Sequence, residues 1–334
     1  MTLAGRYTTG IMGIGSYVPK KILTNKDLEK IVDTSDEWIT SRTGIKERHI
    51  VDDTQAASDI ATEAAKKALS DASLDVKDID LIIVSTNSPD YANFPATACV
   101  VQSNLGAVNS AAFDLEAGCS GFLYAITVAN QFIKSGMYKH ILVVASEIMS
   151  KITNWDDRGT CVLFGDGSAA AVLGRTERGL GIVSSVLGAD GDGGKHLLLP
   201  AGGSRMPASE ETVKNKLHTI HMDGKEVFKF AVRVMGDASL KVLDKAGLTT
   251  DDIDIFVPHQ ANIRIIEAAM KRIDLSEEKV YINIDKYGNT SSASIPIALD
   301  ELYRNSSLKK GDCLLLTAFG TGLTYASVIL KWNK

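Results

Sequence analysis

An internal repeat constrains this chain more than any other feature of its sequence. Residues 72–83 (ASLDVKDIDLII) and 246–257 (AGLTTDDIDIFV) match in pattern at positions 174 residues apart. A helical pattern with a similar apolar stripe precedes each segment, at 61–72 and 235–246. Because repetition at this scale indicates a duplicated structural unit, we predict two related halves, 1–175 and 176–334.

The repeat continues downstream, where Gly118 falls opposite Gly288 and Cys119 falls opposite Asn289. The apolar runs KHILVVA and GDCLLLTA then match one another. Each unit therefore predicts a helix, a buried strand, a second helix and a second strand. Strands that are apolar on both faces are typical of parallel sheets covered by helices, so we predict an α/β fold with parallel pairing.

The composition is that of a globular protein and narrows the classes of partner. The 334 residues are 45% hydrophobic, and the net charge is −5. A mildly acidic chain binds nucleic acid poorly, so we expect no nucleic-acid partner. No apolar run approaches the ~18 residues of a transmembrane helix, so we expect no membrane span. The first residues, MTLAGRYTTGIMGIG, lack a basic segment followed by an apolar core, so we expect no signal peptide.

Four cysteines include no C-x-x-C pair, so the sequence does not predict a zinc ribbon or a redox dithiol. His218 and His221 are three residues apart without an evident third ligand, and we expect no metal. Chains of this size rarely depend on disulfides, which favours a reducing, cytoplasmic location. Cys99, Cys161 and Cys313 lie in apolar runs and are predicted to be core residues.

Cys119 lies at a predicted strand-to-helix turn, in the segment AAFDLEAGCSGFLYAITVANQFIKSG. Apolar residues from Phe122 to Ile133 recur at helical spacing after it, and Gly136 predicts the helix end. Unpaired N–H groups at a helix N-terminus stabilise a thiolate, so this position favours a low thiol pKa and a nucleophilic cysteine. A buried structural cysteine is the alternative that this segment alone leaves open.

Two other polar residues lie where α/β folds place ligand sites. His259 follows the predicted strand DIDIFVP, and the carboxyl end of such a strand is a common ligand site. Asn289 falls opposite Cys119 in the repeat, so a pseudo-twofold axis would bring the two together. A histidine satisfied by backbone partners and an ordinary turn asparagine remain the alternatives.

Three further segments have a candidate role. The loop FGTGLT at 319–324 follows an apolar strand, and its N–H groups are candidates for an oxyanion hole. Arg264, Lys271 and Arg272 lie within one side of the helix predicted after His259. They indicate either a surface for an anionic partner or a solvated helical face. Residues 188–223 predict long loops around a short helix, either a binding lid or a surface excursion.

Several segments together resemble one family, over essentially the whole chain. TSDEWITSRTGIKERHI, DLEAGCSGF, WDDRGT, LFGDGSAAAVL, VPHQANIRI and KYGNTSSASIP are similar to segments of the 3-oxoacyl-[acyl-carrier-protein] synthase III family, which initiates type II fatty acid synthesis. The resemblance implies a thiolase-like fold, a duplicated five-layered αβαβα architecture with two pseudo-twofold-related halves. It also implies a homodimer.

The resemblance assigns roles to individual residues. It implies that Cys119 is the acylated nucleophile, with His259 and Asn289 as its catalytic partners, and that the oxyanion hole uses the backbone N–H groups of Cys119 and Thr321. The coenzyme A contacts that it implies are Trp38, Arg42, Arg158 and Asn262. The carrier-protein contacts that it implies are Gln260, Ala261, Asn262, Ile263, Arg264, Lys271 and Arg272, which favours the anionic-partner interpretation of the basic helix.

Phe94 matches a family position near the dimer interface that helps to close the acyl pocket. A bulky ring there implies a short primer, such as an acetyl or short branched acyl group. The chain departs from the family pattern at Gly118 and Ser120, where many relatives have alanine, at Thr321, where glycine is usual, and at Tyr325, where tryptophan is common. Thr321 keeps its backbone N–H, so these departures bear on substrate size rather than on reaction type.

The resemblance therefore implies an acyltransferase that condenses a short acyl-coenzyme A with malonyl-acyl carrier protein. The products are 3-oxoacyl-carrier protein, carbon dioxide and coenzyme A, and no cofactor is expected. One alternative is a related ketosynthase or acyltransferase of specialised metabolism with a different acyl donor. The other is a non-catalytic partner that binds acyl groups or coenzyme A.

Overall fold

The computed structural model describes residues 8–334. Residues 1–7, which begin both the predicted half 1–175 and the segment MTLAGRYTTGIMGIG, lie outside the described residues. The strands are β1 Thr8–Tyr17, β2 Lys21–Thr24, β3 Glu47–Ile50, β4 Leu81–Ser85, β5 Ala111–Leu115, β6 Ile141–Glu147, β7 Gly167–Thr176, β8 Gly181–Ala189, β9 Leu197–Leu198, β10 His221–Met222, β11 Ile255–Pro258, β12 Cys313–Gly320 and β13 Thr324–Lys331. The α-helices are α1 Asn25–Leu28, α2 Asp36–Thr43, α3 Ala57–Ala72, α4 Thr97–Leu105, α5 Gly121–Ser135, α6 Arg158–Cys161, α7 Glu210–Lys214, α8 Gly224–Ala246, α9 Ile263–Ile273, α10 Ile284–Tyr287 and α11 Ser294–Arg304.

The two main sheets have the same strand order, which reflects the repeat in the sequence. The first sheet runs β1-β7-β6-β4-β5, and the second runs β8-β13-β12-β11. In each sheet the first two pairings are antiparallel and the third is parallel. A parallel bridge between Phe256 and Val280 stands where the first sheet has β5. The duplication is thus visible in topology as well as in pattern, while the division at 175/176 stays a prediction.

Two details of the strand prediction are wrong. The sheets are mixed rather than parallel, because their strands are apolar on both faces wherever helices cover both sides, whatever the strand direction. The segment at 282–285, which the repeat matches to β5, contains the start of α10 instead of a strand. Only the bridge at Val280 remains of that pairing.

Helices and sheets alternate in five layers. The central core packs α5 and α11 between the facing sides of the two sheets, with side chains such as Phe122, Ile126 and Leu299 fully buried. Helices α3 and α4 cover the outer face of the first sheet. Helices α8 and α9 cover the outer face of the second sheet. This is the predicted αβαβα arrangement, and it places the start of both central helices between the sheets.

Both central helices begin after a short 3-10 turn, at Gly118–Ser120 and Ser291–Ala293. The first carries Cys119, and the second follows Asn289. Gly136 ends α5 in the left-handed conformation (φ 81°), as its position in the sequence predicts. The pseudo-symmetry therefore brings the two polar turns to one place in the molecule.

The segment 188–223 has long loops around the short helix α7, as predicted. Its strands β9 and β10 pair with each other in a two-stranded antiparallel ribbon. Cys161 and Cys313 are buried as predicted, but Cys99 is exposed on α4. Between residues 8 and 334, no helix is long and apolar enough to cross a membrane.

Candidate active site

Cys119 lies between two cavities. The first, of about 330 Å³, is lined by Cys119 together with His259, Asn289 and Phe319. The second, of about 450 Å³, lies on the other side of Cys119 and has Thr321 in its wall. The three residues predicted to be catalytic therefore face one cavity, although they come from three separate segments of the chain.

Two glycines let the backbone around Cys119 touch the loop after β12. A Cβ atom at Gly320 would lie 2.2 Å from the backbone nitrogen of Cys119. A Cβ atom at Gly118, where φ is +57°, would lie 2.3 Å from the backbone nitrogen of Thr321. Any side chain at either position would separate these segments. The close approach brings together the two N–H groups that we predicted for an oxyanion hole.

The departures from the family pattern at Gly118 and Thr321 complement each other. The position of a Gly118 Cβ would be 2.6 Å from the Thr321 hydroxyl oxygen, so glycine leaves the space that the threonine side chain occupies. Tyr325 lies elsewhere: its ring packs on Gly188, in a groove against α8. Of these three residues, Gly118 and Thr321 therefore bear on the reaction site and Tyr325 does not.

The electrostatic environment of Cys119 differs from our prediction. Its sulfur lies 3.3 Å from the Ser291 hydroxyl oxygen. The residue is partly accessible through the cavities, but protein surrounds the sulfur, and burial raises the pKa of the thiol to about 12. The hydrogen bond with Ser291 lowers the pKa without reversing that rise. The prediction of a low pKa is thus wrong, because the loss of hydration outweighs the hydrogen bonds that favour the thiolate.

His259 is buried, and its ring is held in one orientation by α11. Its Nδ1 lies 2.7 Å from the Ser294 hydroxyl oxygen, which also accepts a hydrogen bond from the Gln260 backbone N–H. Because the Ser294 oxygen already accepts from the Gln260 N–H, we assign its own hydrogen to the bond with Nδ1. That assignment puts the ring proton on Nε2, which has no partner within the described residues.

Burial lowers the pKa of His259 to about 3. Its unfolded-state value is 6.5, so between these limits the unfolded chain binds a proton that the folded chain does not. Stability contributed by the neutral histidine is therefore lost as the pH falls below about 6.5. We expect His259→Asn, which cannot titrate there, to lose less stability than the unmodified protein between pH 7 and pH 5. Urea unfolding at both pH values measures this, and equal losses would contradict the buried, neutral state.

Asn289 is fixed through its backbone and through its side-chain oxygen. Its backbone N–H donates to the Leu163 carbonyl (2.8 Å), and its carbonyl accepts from the Gly165 N–H (3.1 Å). Its Oδ1 accepts from the Ser291 backbone N–H at 2.9 Å. Because the oxygen is engaged in this way, the amide nitrogen is the end presented to the cavity.

Beside Arg42, which lines the first cavity, an indole ring contacts two guanidinium groups. The carbons at the centres of the Arg42 and Arg158 guanidinium groups lie 4.8 and 4.9 Å from the centre of the Trp38 ring. Arg42, Asn262 and Arg264 line the cavity itself. The Asn262 side chain caps α9 by accepting from the Arg264 N–H at 2.9 Å. The predicted coenzyme A residues thus gather at one entrance with an excess of positive charge.

Comparison with known proteins decides the family. The family models for 3-oxoacyl-[acyl-carrier-protein (ACP)] synthase III match residues 113–191, and those for its C-terminal part match residues 243–332. A beta-ketoacyl-[acyl-carrier-protein] synthase III of Caldanaerobacter subterraneus subsp. tengcongensis is 64% identical over 98% of this chain and 99% of its own length. The chain belongs to the 3-oxoacyl-[acyl-carrier-protein] synthase III family.

Solved structures of this synthase family have the same fold. The enzyme from Aquifex aeolicus VF5 superposes with a TM-score of 0.89 at 47% identity, covering 97% of this chain and 100% of that one. The enzyme from Thermus thermophilus gives a TM-score of 0.90 at 46% identity, covering 97% and 99%. The predicted thiolase-like fold and the predicted condensing acyltransferase, which joins acyl-coenzyme A to malonyl-carrier protein, are confirmed.

Some of the residues predicted to contact the carrier protein are not available for such a contact in the structure. Gln260 is 1% exposed, and its amide donates to the Pro258 and Tyr281 carbonyls, so it holds the turn before α9 and cannot contact a docked protein. Ala261 is also buried, in the cavity wall. Arg272 is exposed but donates to Asp237 of α8 at 2.9 Å, which offsets its charge. Ile263, Arg264 and Lys271 remain at or near the surface.

Phe94 does not close either cavity within one chain. Its side chain is 84% exposed, and the cavity walls at Cys119 do not include it. Its predicted role in the acyl pocket therefore requires a second subunit.

Sequence reasoning missed a group of apolar residues that line the second cavity. They are apolar side chains from the loop region 188–223 and from the segment after β6, namely Met149, Ile152, Leu197, Leu198, Leu199 and Ile220. The run LLLP inside a Gly- and Ser-rich stretch was the available signal. Of the two interpretations of 188–223, the structure favours the binding loop, because its side chains wall the cavity beside Cys119.

Proposed function

We propose that this chain condenses a short acyl-coenzyme A with malonyl-carrier protein by using Cys119 as nucleophile and His259 and Asn289 as donors to an enolate. The observation that carries the proposal is the single cavity that these three side chains line. A thiol, a neutral imidazole N–H and an amide N–H facing one space suit acyl transfer followed by carbanion chemistry.

In the first half-reaction, the Cys119 sulfur attacks the thioester carbon of the acyl-coenzyme A. The N–H groups of Cys119 and Thr321 stabilise the negative oxygen of the tetrahedral intermediate. The bond to the coenzyme A sulfur then breaks, and that sulfur ends with the proton that the thiol has lost. The acyl group is left on Cys119.

In the second half-reaction, malonyl-carrier protein loses carbon dioxide, and the electron pair of the broken bond forms an enolate. His259 Nε2–H and the Asn289 amide donate hydrogen bonds to the enolate oxygen. A histidine with a pKa of about 3 stays neutral, so it stabilises the enolate without protonating it. The enolate carbon attacks the acyl carbonyl, and Cys119 leaves as the thiolate and regains a proton. These steps require no metal or redox cofactor.

The arginines at the cavity mouth supply binding for the substrates. The Trp38 ring contacts Arg42 and Arg158 and so places a flat apolar group beside two cations, which suits the base and phosphates of coenzyme A. Asn262 lies further along the same wall. We propose that the acidic carrier protein docks on the adjoining surface of α9, through Ile263, Arg264 and Lys271.

The exposed apolar residues near β5 support a homodimer. Phe94, Val108 and Tyr91 are 84%, 80% and 54% exposed, and β5 forms an edge of the first sheet among the described residues. An unpaired edge strand beside exposed apolar side chains is suited to pairing with a second copy. Sedimentation as a particle of one chain would contradict the dimer.

A panel of acyl-coenzyme A thioesters tests the primer class. We expect acetyl- and isobutyryl-coenzyme A to acylate the protein at least about tenfold faster than octanoyl-coenzyme A, because one missing contact or clash of this size is worth about that factor. Intact-protein mass spectrometry after brief incubation measures each rate. Phe94→Ala should raise the octanoyl rate if a partner's ring closes the pocket.

Val108→Ala is the matched control, since Val108 is an apolar residue of similar exposure but is not predicted to line the pocket. Equal rates with all three thioesters in the unmodified protein would contradict a short primer. No adduct with any thioester would instead favour the specialised-metabolism alternative or the non-catalytic one, and turnover of malonyl-carrier protein would separate those two.

We also propose a cytoplasmic location. The four cysteines are free thiols, as expected in a reducing compartment. Recovery of the protein outside the cytoplasmic fraction of its cell would contradict this location.

A further inference from the structure

A chain of buried hydrogen bonds leads from Glu147 to the sulfur of Cys119. The Asn87 side-chain nitrogen donates to Glu147 Oε1 at 2.8 Å and to the Ser291 hydroxyl oxygen at 2.8 Å. The Ser291 hydroxyl in turn lies 3.3 Å from the Cys119 sulfur. The proposed mechanism uses only the last of these four residues.

The direction of these hydrogen bonds follows from chemistry. The Glu147 side-chain oxygens accept from the Asn87 backbone N–H and from the Ser88 and Ser292 hydroxyls, so the Asn87 side chain turns its nitrogen, not its oxygen, toward Oε1. The second hydrogen of that nitrogen is then directed to the Ser291 oxygen. Since this oxygen accepts from Asn87, its own hydrogen is left for the Cys119 sulfur, the other partner that the structure gives it.

This series of hydrogen bonds is held rigidly at both ends. Glu147 is fully buried, and it also accepts from the Ser88 and Ser292 hydroxyls and from the Asn87 backbone N–H. Ser291 is 1% exposed, with its backbone N–H bonded to Asn289 Oδ1 and with φ at +51°. Burial and the hydrogen bond from Asn87 therefore keep the Ser291 hydroxyl beside the sulfur.

We propose that Ser291 is a further catalytic residue, whose hydroxyl donates a hydrogen bond to the Cys119 sulfur and stabilises its thiolate when it attacks and when it leaves. Asn87 and Glu147 are positioning residues that fix the direction of this hydroxyl. The inference rests on the proposed function, since it requires Cys119 to be the nucleophile.

The need for such a donor follows from the burial of the sulfur. Burial disfavours the thiolate, which must nevertheless form twice in each reaction cycle. A hydrogen bond to the charged sulfur offsets part of the free-energy cost of forming the buried thiolate. The corresponding effect on the rate is about ten- to a hundredfold. The same residue links both catalytic turns, because its N–H orients Asn289 and its hydroxyl contacts Cys119.

Ser291→Ala tests the inference, and its readout is the pH dependence of Cys119 alkylation by iodoacetamide. We expect alkylation at every pH below the thiol pKa, and acylation at pH 7, to slow about ten- to a hundredfold, which is a displacement of the alkylation profile to higher pH by about one to two units. A residue with a merely structural role would leave the pH profile in place. Alanine removes only the hydroxyl and keeps the backbone bond to Asn289.

Two further variants distinguish the role of the Ser291 hydroxyl from that of the residues that position it. Thr290→Val is the matched control, because the Thr290 hydroxyl is buried in the same turn and has no partner among residues 8–334. It should leave the alkylation profile and the acylation rate unchanged. Asn87→Ala should shift the alkylation profile in the same direction as Ser291→Ala but less far, since the Ser291 hydroxyl remains without its orienting donor.

The outcomes distinguish this inference from the proposed function. If the unmodified protein is not acylated at Cys119, the proposed function fails. If it is acylated there but Ser291→Ala has the same alkylation profile and rate, only the role of Ser291 is overturned. A shift in Ser291→Ala without any shift in Asn87→Ala would overturn the positioning role alone.

Discussion

Cys119→Ser is expected to lower the rate of acylation by acyl-coenzyme A at least about a thousandfold, the scale seen when an enzyme loses its nucleophile. A hydroxyl is far harder to ionise than a thiol, and this site already raises the pKa of the thiol to about 12. The contacts around Cys119 offer no base to a serine: its neighbour is the Ser291 hydroxyl, and the proton of His259 is assigned to the nitrogen that faces the cavity. Intact-protein mass spectrometry would show no added acyl mass on the timescale of the unmodified protein.

Cys99→Ser is the matched control, because Cys99 is the exposed cysteine and lies outside both cavities. It should be acylated at the rate of the unmodified protein. Rapid acylation of Cys119→Ser, or loss of acylation in Cys99→Ser, would assign the nucleophile to another residue.

His259→Ala is expected to separate the two half-reactions. It removes one of the two donors to the enolate oxygen, and the loss of one such donor slows a reaction about a hundred- to a thousandfold. Acylation should change much less, since the oxyanion hole for that step is formed by the backbone of Cys119 and Thr321. Release of carbon dioxide from malonyl-carrier protein measures the second half-reaction, and the rate of mass increase measures the first.

His221→Ala serves as the control for this experiment, because His221 is exposed on β10 and does not line the cavity of the three catalytic residues. It should leave both rates unchanged. Equal losses of acylation and decarboxylation in His259→Ala would show that His259 also serves the first half-reaction, contrary to the division of roles proposed above.

The internal repeat was sufficient to predict the duplicated fold. The match of 72–83 with 246–257 corresponds to the approach to β4 and β11, which occupy equivalent places in the two sheets. The pairing of Cys119 with Asn289 predicted that two helix starts would meet, and the structure brings both to one cavity. Both features depend on local apolar patterns and on the internal repeat, and both of these are visible in the sequence.

The direction of neighbouring strands and the exposure of single residues could not be predicted from the repeat or from apolar patterns. An apolar run predicts that a strand is covered on both faces, but it does not indicate whether the adjacent strand runs parallel or antiparallel to it. Cys99 lies in an apolar run yet is exposed, because its sulfur lies beside the edge strand β5, 4.0 Å from the Ala112 carbonyl oxygen, instead of over the covered face of the sheet. Gln260 has a polar side chain yet is buried, because it supplies hydrogen bonds to the turn before α9.

The hydroxyl groups of the segment 291–294 were the largest omission at the site. In the sequence these residues look like small side chains that permit close packing of a helix start. In the structure Ser294 fixes the ring of His259, and Ser291 contacts both Asn289 and Cys119. Such roles depend on which segments meet across the pseudo-twofold, so they are visible only once the fold places the partners.

A pulse–chase experiment tests the central claim most directly. The unmodified protein is incubated briefly with labelled acetyl- or isobutyryl-coenzyme A, whichever acylates faster, then freed of excess thioester and mixed with malonyl-carrier protein. The account predicts that the label first resides on the peptide containing Cys119 and then moves to 3-oxoacyl-carrier protein as carbon dioxide is released. Label on another residue, or label on Cys119 that malonyl-carrier protein does not remove, would contradict it.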